Sequence, residues 1–301
     1  MLFEGTEKKF EIMTAPGGLD LRSLGHDLWR RVIHASRAEP LSYLASDELE
    51  AWLLSESSLF VSAQQAVMIT CGRTTLIDGL MHLLEVVPRE AIASLIYERK
   101  NENFPDEQPS RFRHDCARLT ERLGGEHLKF GDPDGDHISL YHLGDPAPVD
   151  PEDTTLEVLM HGIRPDVADL FVPDGPTTDE LHARLGLDRL LAGFEVDDWV
   201  FSPQGYSLNA LRGRRYATMH VTPERENSYA SFELGWGFDG TEADAAVASL
   251  LQAFGPERVD LLLFTGHLGA PTPFPGYHAD HDRREALSCG YPVHYRHLVR
   301  S

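Results

Sequence analysis

The segment Leu53-Leu-Ser-Glu-Ser-Ser-Leu-Phe-Val61 sets three serines and a glutamate between apolar residues in the first quarter of the chain. Taken alone, it indicates the edge of a strand or a turn, because serine is common in turns. Two reactive side chains elsewhere also have ordinary interpretations, Cys71 as a small core residue and His220 as a hydrogen-bonded histidine on a strand. Each residue, considered by itself, therefore leaves catalysis open.

Strand patterns dominate the second half of the chain. Residues 216–221 alternate in character, so that Tyr216, Thr218 and His220 are expected to share one face. Residues 229–232 follow a Thr-Pro-Glu turn, as the return strand of a hairpin does. Further strands are predicted at residues 259–264 and 291–299.

Helices are predicted between these strands, at residues 20–36, 155–161 and 241–254. In the last of them, Thr241 and Asp244 resemble a capping box, and Gly255-Pro256 ends the helix. The segment 144–151, rich in proline and aspartate, is the best internal boundary. Because strands and helices mix without a regular βαβ alternation, we expect an α+β fold with mainly antiparallel sheets.

The composition narrows the class of protein. The 301 residues include 27 Lys+Arg and 48 Asp+Glu, a net charge of −21, and 42% of them are hydrophobic. This balance is typical of a globular protein, and its sign disfavours binding to nucleic acid or to an anionic membrane. The three cysteines are widely spaced, and the first residues lack the basic and then apolar run of a signal peptide. We therefore expect a cytoplasmic protein.

Three segments match known functional motifs only in part. Asp132–Asp136 resembles a calcium loop but lacks the following glycine and the bidentate glutamate. Tyr277–Asp282 offers two imidazoles and two carboxylates, but no further ligand stands at a recognisable spacing. Gly205–Asn209 lacks the second glycine of a nucleophile elbow. We therefore expect no metal site and no serine hydrolase.

Seven segments in order nevertheless resemble the eukaryotic-type S-adenosylmethionine decarboxylases. They are Phe3-Glu-Gly-Thr-Glu-Lys8, Leu54-Ser-Glu-Ser-Ser58 with Phe60-Val61, Thr70-Cys-Gly72, Tyr97 with Arg99-Lys-Asn101, Asp153 with Thr155-Leu-Glu157, Gly205-Tyr-Ser207 with Asn209, and His220 followed by Thr222-Pro-Glu224. The resemblance implies one α+β domain, a four-layer α/β/β/α sandwich of two antiparallel sheets. Its two similar halves would span about 1–147 and 148–301.

The resemblance also implies a proenzyme that cleaves itself between Glu56 and Ser57, giving fragments of 56 and 245 residues from the 301. Ser57 would become a pyruvoyl group, the cofactor that accepts electrons during decarboxylation. Ser207 and His220 match the processing residues of the family, and Cys71 matches its proton donor. The matching acids Glu4 and Glu7 join this catalytic set, with Glu7 supporting the site electrostatically.

The implied substrate is S-adenosylmethionine, whose decarboxylated product is the aminopropyl donor for spermidine and spermine synthesis. Phe3 and Phe201 match the two rings that enclose adenine, Glu224 matches the ribose-binding carboxylate, and Leu54 and Glu56 complete the substrate-binding set. One alternative is a pyruvoyl-dependent decarboxylase of ornithine or arginine. Such an enzyme would need carboxylates where the two phenylalanines stand, so these residues disfavour it. The other is a regulatory paralogue that is never processed, although Ser57, Cys71 and His220 are all retained.

Two departures from the family concern the active site and its regulation. Arg73 looks like a one-residue insertion or bulge beside Cys71. Animal members are activated by putrescine bound among acids, and the matching positions here are Glu11, Asp153, Thr155, Glu157 and Glu233. Ile69 replaces the lysine of the family near this cluster, whereas Lys9 replaces an apolar residue. We expect Lys9 to replace the diamine; a solvated Lys9, with putrescine as activator, is the alternative. A homodimer of processed units is the expected assembly.

Overall fold

The computed structural model describes residues 4–55, 57–132, 135–143, 150–224, 226–265 and 272–301. They belong to two compact units. The N-terminal unit comprises Thr6–Pro148 and Leu287–Gly290, and the C-terminal unit comprises Met1–Gly5, Val149–Ala286 and Tyr291–Ser301. None of the helices in the described ranges is long and apolar enough to cross a membrane.

The N-terminal unit is one antiparallel sheet with strand order β2-β3-β4-β5-β1-β6-β8-β7. Its strands are β1 (Lys8–Thr14), β2 (Pro40–Ala45), β3 (Leu49–Leu54), β4 (Ser57–Ser62), β5 (Gln65–Thr70), β6 (Ile92–Lys100), β7 (Glu126–Gly131) and β8 (His137–His142). Its helices are α1 (His26–Ala35), α2 (Leu76–Leu84) and α3 (Phe112–Leu123). Short 3₁₀ turns lie at Arg22–Leu24, Arg89–Ala91 and Pro105–Glu107.

The helices of this unit pack on one face of its sheet. Alternate strand residues such as Phe10, Ile12 and Met68 meet Leu28 of α1 and Leu80 of α2 in a buried apolar cluster. Since successive side chains of a strand point to opposite faces, the intervening residues of β1 and β6 form the other face. That face carries the buried charges Lys9, Glu11, Glu98 and Lys100.

The C-terminal unit is also one antiparallel sheet, with strand order β10-β11-β12-β13-β9-β14-β16-β15. Its strands are β9 (Thr155–His161), β10 (Glu195–Val200), β11 (Tyr206–Arg212), β12 (Arg215–Thr222), β13 (Tyr229–Gly235), β14 (Arg258–Phe264), β15 (Tyr277–Ala286) and β16 (Pro292–Arg300). Its helices are α4 (Pro165–Ala168), α5 (Thr178–Leu185), α6 (Leu187–Leu190) and α7 (Gly240–Phe254). Adding eight to each strand number of the first sheet reproduces the second order. The α+β class, the two antiparallel sheets and the two similar halves are therefore confirmed.

The four predicted strands of this unit are confirmed, but the helix predicted at 155–161 is wrong. These residues form β9, which lies between β13 and β14 and is buried along its whole length. Leu159 breaks the alternation of β9, because it stands among Thr155, Glu157 and His161 on the face that is otherwise polar. Together with Leu156 and Met160 it has the i, i+3, i+4 spacing of a helix. The run Leu156 to Met160 therefore imitates a helical segment. The strands predicted at 216–221, 229–232, 259–264 and 291–299 lie within or overlap β12, β13, β14 and β16.

Two helix boundaries also differ from the prediction. The helix predicted from residue 20 begins at His26, because Gly25 takes a positive φ of 78° and separates it from the 3₁₀ turn. For α7, the capping box of Thr241 and Asp244 is wrong. Asp239 caps this helix, and its side chain accepts a hydrogen bond of 2.9 Å from the Glu242 amide. Gly255 ends α7 in the left-handed conformation, as predicted.

Candidate active site

Residues 53–55 and 57–61 lie in the hairpin of β3 and β4, with Ser55 between the strands. Leu54 ends β3 and pairs in register with Ser57, which begins β4. Glu56 lies outside the described residues. Ser57 has a φ of +136°, a backbone conformation that side-chain-bearing residues rarely adopt. Such a residue costs on the order of 1–3 kcal/mol, and this kind of strain is concentrated at functional sites.

The side chain of Ser57, like its backbone, is unusual. Only 1% of the residue is exposed, and its hydroxyl oxygen has no hydrogen-bond partner among the described residues. Buried polar atoms are nearly always hydrogen-bonded, so an unsatisfied hydroxyl needs a specific explanation. A hydroxyl that no neighbour holds is free to turn toward the peptide bond on its own N-terminal side. This arrangement can support attack by Ser57 on the preceding carbonyl.

Cys71 lies in a turn that a buried lysine holds. Thr70 pairs with Ser57 across β4 and β5, so Cys71 directly follows the strand position opposite Ser57. The Lys8 ammonium donates hydrogen bonds to the Gly72 carbonyl at 2.9 Å and to the Thr74 hydroxyl at 3.4 Å. Lys8 lies within the first segment that resembles the family, but no sequence pattern indicated its role. The sequence alone could not show that β1 and β5 are neighbours.

The residue suspected of being an insertion, Arg73, turns away from this site. Gly72 has a φ of +67°, which lets the chain reverse direction directly after Cys71. The half-exposed Arg73 side chain forms an ion pair with Glu107. Arg73 therefore lies in a surface turn, and Cys71 itself stays buried.

Ser207 and His220 meet in the C-terminal unit. They face each other in register on β11 and β12, and the Ser207 hydroxyl lies 2.9 Å from Nδ1 of His220. The other ring nitrogen of His220 lies 2.9 Å from the Thr218 hydroxyl, which donates a hydrogen bond of 3.1 Å to Oδ1 of Asn209. Burial lowers the pKa of His220 to about 3, because a charged ring would lose its hydration. The imidazole is therefore neutral, and one of its nitrogens can accept a proton from a neighbour.

The remaining predicted residues of this unit lie near the ends of its strands. Gly5 packs so closely on Thr222 and Tyr229 that a Cβ atom there would lie 3.0 Å from Thr222, which places the buried Glu4 beside β12 and β13. Glu224 follows β12 by two residues and is partly buried. Phe201 follows β10, and its amide donates to the Gly205 carbonyl at 2.9 Å. Phe3 lies outside the described residues.

Comparison with known proteins identifies the family. The family model described as adenosylmethionine decarboxylase matches residues 1–294. The chain belongs to this family. It is 32% identical over 279 residues to the S-adenosylmethionine decarboxylase proenzyme of Xenopus laevis, covering 87% of this chain and 83% of that protein. It is 33% identical over 305 residues to the proenzyme of Oryza sativa subsp. japonica, covering 90% and 74% respectively.

A solved structure of the same family shares the fold. The Trypanosoma brucei adenosylmethionine decarboxylase, described as a monomer, aligns with a TM-score of 0.62 and 25% identity over 81% of this chain and 99% of that one. The resemblance drawn from seven segments is therefore confirmed. The roles of the individual residues stay predictions, and the two units divide them. Ser57, Cys71, Glu7 and Leu54 belong to the N-terminal unit, whereas Ser207, His220, Glu4, Phe201 and Glu224 belong to the C-terminal unit.

Lys9 of this decarboxylase-family chain is buried, so the interpretation of it as a solvated side chain is wrong. It is 2% exposed, and its ammonium lies 3.7 Å from a carboxylate oxygen of Glu11. Gln65 donates a hydrogen bond of 2.7 Å to the other oxygen of Glu11. In register, Lys9 faces Ile69 on β5 and Glu98 on β6. A buried carboxylate needs a counter-charge, and Lys9 supplies one to Glu11.

The other predicted acids lie in the C-terminal unit. Glu157 and Glu233 are paired directly across β9 and β13, and both are buried. The Tyr216 hydroxyl donates a hydrogen bond of 2.6 Å to Glu233. Thr155 begins β9, and Asp153 lies buried just before it. Like charges directly opposite each other repel, so this pair is a place where a cation would be stabilised.

The segments considered for metals form strands and a hairpin. Gly131 ends β7 and His137 begins β8, so Asp132–Asp136 connects a hairpin, although residues 133–134 lie outside the described ranges. Tyr277–Asp282 lies in β15, at the edge of the second sheet. Within the described residues, no group of three or more His, Cys, Asp or Glu side chains is placed to hold a metal ion.

Proposed function

We propose that this chain is a carboxy-lyase that cleaves itself between Glu56 and Ser57 and then decarboxylates S-adenosylmethionine. The observation that carries the proposal is Ser57, where a strained φ and a buried hydroxyl without a partner among the described residues coincide with the family's cleavage position. The membership of the chain in the adenosylmethionine decarboxylase family supports the substrate.

The cleavage needs only groups of the chain and one water. The Ser57 oxygen attacks the Glu56 carbonyl carbon, the peptide C–N bond breaks, and the amine that leaves takes the hydroxyl proton. Removal of the Ser57 α-proton then expels the Glu56 carboxylate and leaves a dehydroalanine. Water hydrolyses this residue to a pyruvoyl group and ammonia. The first step relieves the strain at Ser57, which favours it over hydrolysis elsewhere in the chain.

His220 and Ser207 suit the processing role that the family resemblance gives them. Burial lowers the pKa of His220 to about 3, which keeps the ring neutral and able to accept a proton but also makes it a weaker base than a solvated histidine. The Ser207 hydroxyl is held 2.9 Å from Nδ1 and is therefore fixed in place. We assign the removal of the Ser57 α-proton to His220, whose Nδ1 is hydrogen-bonded to the Ser207 hydroxyl.

After cleavage, a pyruvoyl group at residue 57 supplies a carbonyl that withdraws electrons from the carbon losing carbon dioxide. The buried setting of Ser57 fits such a small group without a charge. We assign Cys71, held in its turn by Lys8, to return a proton to that carbon. Phe201 stacks on adenine, and Glu224 accepts hydrogen bonds from the ribose hydroxyls.

Denaturing mass spectrometry tests the cleavage. The purified protein should give fragments of 56 and 245 residues, the larger with a ketone that borohydride reduces. The variant Ser57→Ala should remain a single chain under the same conditions. An intact wild-type chain after long incubation would refute self-cleavage and favour the regulatory paralogue. Release of carbon dioxide from S-adenosylmethionine, and not from ornithine or arginine, tests the substrate.

The activity is proposed to be independent of putrescine, because the chain carries its own ammonium beside Glu11. Lys9 faces Ile69 directly across β1 and β5, so the charge that the family places at position 69 stands here on the neighbouring strand. In this proposal the ammonium of Lys9 balances Glu11, which matches one of the acids at the putrescine site of animal members of the family. The homodimer and the cytoplasmic location stay predictions, which sedimentation of the processed protein and cell fractionation would test.

Turnover with and without putrescine tests this independence. Wild-type protein should change less than about twofold, whereas Lys9→Met should lose activity and regain part of it with putrescine, since it removes one cation from a buried carboxylate. Lys129→Met, on the exposed part of β7, is the matched control. A several-fold rise of wild-type turnover on addition of putrescine would contradict the proposal.

A further inference from the structure

The hydrogen bonds around His220 form a chain with a direction. Four side chains take part, in two register pairs on β11 and β12: Ser207 opposite His220, and Asn209 opposite Thr218. All four are buried on the sheet face opposite the helices. Because strand pairing fixes the positions of all four Cβ atoms, the geometry does not depend on a mobile loop.

The direction of this chain follows from the donors and acceptors. Oδ1 of Asn209 can only accept, so the Thr218 hydroxyl donates its one proton there, at 3.1 Å. Thr218 then has only lone pairs left for the contact of 2.9 Å with Nε2 of His220. Nε2 must therefore carry the ring proton. Nδ1 is left as the acceptor, and it receives the Ser207 hydroxyl at 2.9 Å.

We propose that Thr218 and Asn209 are positioning residues for self-cleavage, which hold His220 as the Nε2–H tautomer so that its basic nitrogen faces Ser207. The inference rests on the proposed function, which uses His220 as the base. Neither Thr218 nor Asn209 touches the reacting atoms in this scheme. They act through the ring, by deciding that Nδ1 carries the lone pair and by accepting the Nε2–H, which stays in place when Nδ1 takes up a proton.

Burial makes the tautomer decisive. An exposed histidine near neutral pH exchanges its tautomers through the protonated form, and water can satisfy either nitrogen. His220 is 5% exposed, so each nitrogen depends on the neighbour that the sheet provides. With the proton on Nδ1, the ring would have no lone pair toward Ser207. Comparable histidines in hydrolases lose much of their activity when the neighbour that fixes the tautomer is changed.

The tautomer can be measured without cleavage. In Ser57→Ala proenzyme labelled with ¹⁵N-histidine, the two ring nitrogens of His220 have different shifts according to which one is protonated. His220→Gln in the same background assigns the signals. A protonated Nε2 supports the inference, and a protonated Nδ1 overturns it even if the wild-type chain cleaves. Failure of the wild-type chain to cleave would instead refute the proposed function, so the two failures are distinguishable.

Cleavage kinetics test whether the positioning matters. Thr218→Val removes the acceptor at nearly constant volume, and cleavage of freshly synthesised proenzyme should slow about ten- to hundredfold, the usual range for a lost hydrogen bond to a group that becomes charged. Thr218→Ser keeps the hydroxyl and should cleave within about threefold of wild type. Thr14→Val, which removes a buried threonine hydroxyl bonded to the Leu19 carbonyl, is the control for general destabilisation. Equal rates for Thr218→Val and Thr218→Ser would overturn the inference.

Discussion

The strain at Ser57 predicts an inverted effect of glycine at this position. In a strand, replacing alanine by glycine normally lowers stability, because the unfolded glycine chain has more conformational freedom. At a φ of +136°, only glycine is unstrained. The pair Ser57→Gly and Ser57→Ala isolates this effect, since both variants lack the hydroxyl and neither can cleave. We expect the glycine variant to be the more stable of the two.

The magnitude follows from two opposing contributions. Relief of the strained φ should favour glycine by about 1–3 kcal/mol. The greater freedom of the unfolded glycine chain should cost about 0.4–1 kcal/mol. The net expectation is a free energy of unfolding about 1–2 kcal/mol higher for Ser57→Gly than for Ser57→Ala. For a unit of this size, the midpoint of thermal unfolding would rise by about 2–4 °C per kcal/mol.

The assay is urea and thermal unfolding of the two intact proteins, followed by circular dichroism. The control pair is Ser58→Gly and Ser58→Ala, one residue further along β4, where φ is not positive. There the ordinary order should return, with glycine the less stable variant by about 0.5–1 kcal/mol. If Ser57→Ala is as stable as Ser57→Gly, or more so, then the backbone at Ser57 stores no strain and the argument for the cleavage site loses its main support.

Further predictions concern three buried groups, Lys8 in the N-terminal unit and His220 and Asp260 in the C-terminal unit. Lys8→Met should destabilise the N-terminal unit by about 1.5–3 kcal/mol, since the Gly72 carbonyl loses a charged donor. The variant should also decarboxylate more slowly than the surface variant Lys129→Met. Equal turnover of the two variants would contradict a link between Lys8 and Cys71. Because burial lowers the pKa of His220 to about 3, cleavage rates should stay level between pH 8 and 5, and a fall with a midpoint near pH 6.5 would count against this. The lowered pKa of His220 also makes the free energy of unfolding depend on pH. The unfolded imidazole binds a proton below about pH 6.5 while the folded one does not, so stability is lost as the pH falls from there toward 3. The variant His220→Gln should lose less stability over this range. Burial alone would raise the pKa of Asp260, but hydrogen bonds from His161 and His297 hold it below its usual range; the stability this gives is present above about pH 4 and is lost as pH falls. Asp260→Asn should therefore cost about 3–5 kcal/mol at pH 7 and unfold less steeply in acid, as titration of the unfolding midpoint against pH would show.

What the sequence could predict depended on how regularly polar and apolar residues alternate along a strand. In β12, Thr218 and His220 alternate with the apolar Ala217, Met219 and Val221, so both the strand and the shared face were predictable. In β9, Leu159 interrupts the polar face of Thr155, Glu157 and His161, and the segment was mistaken for a helix. The family itself was recognisable because its motifs are contiguous.

The features that carry the site depend on contacts that no local pattern contains. The φ of Ser57 results from the way the hairpin is held, and nothing in the letters Ser-Glu-Ser-Ser requires it. The contact of Lys8 with Gly72 needs β1 and β5 to be neighbours. A partial signal did exist for Thr218 and Asn209: each stands two residues from a predicted site residue on a strand, and therefore on the same face. Choosing them still required the register of β11 against β12.

The repeated strand order explains how one architecture carries two kinds of chemistry. Equivalent strands differ in what they present: β4 begins with Ser57, whereas its equivalent β12 carries His220, and β1 carries Lys9 and Glu11 where β9 carries Glu157. In both sheets the helix-packed face is constrained to apolar residues, because any polar group there would lose its hydration without a partner. The opposite face of each sheet can be substituted without disturbing that core, provided that each buried polar group finds a hydrogen bond. Ser207, Thr218 and His220 satisfy this condition through one another and through Oδ1 of Asn209, which is why a base with a single usable nitrogen can be built on a strand rather than on a loop.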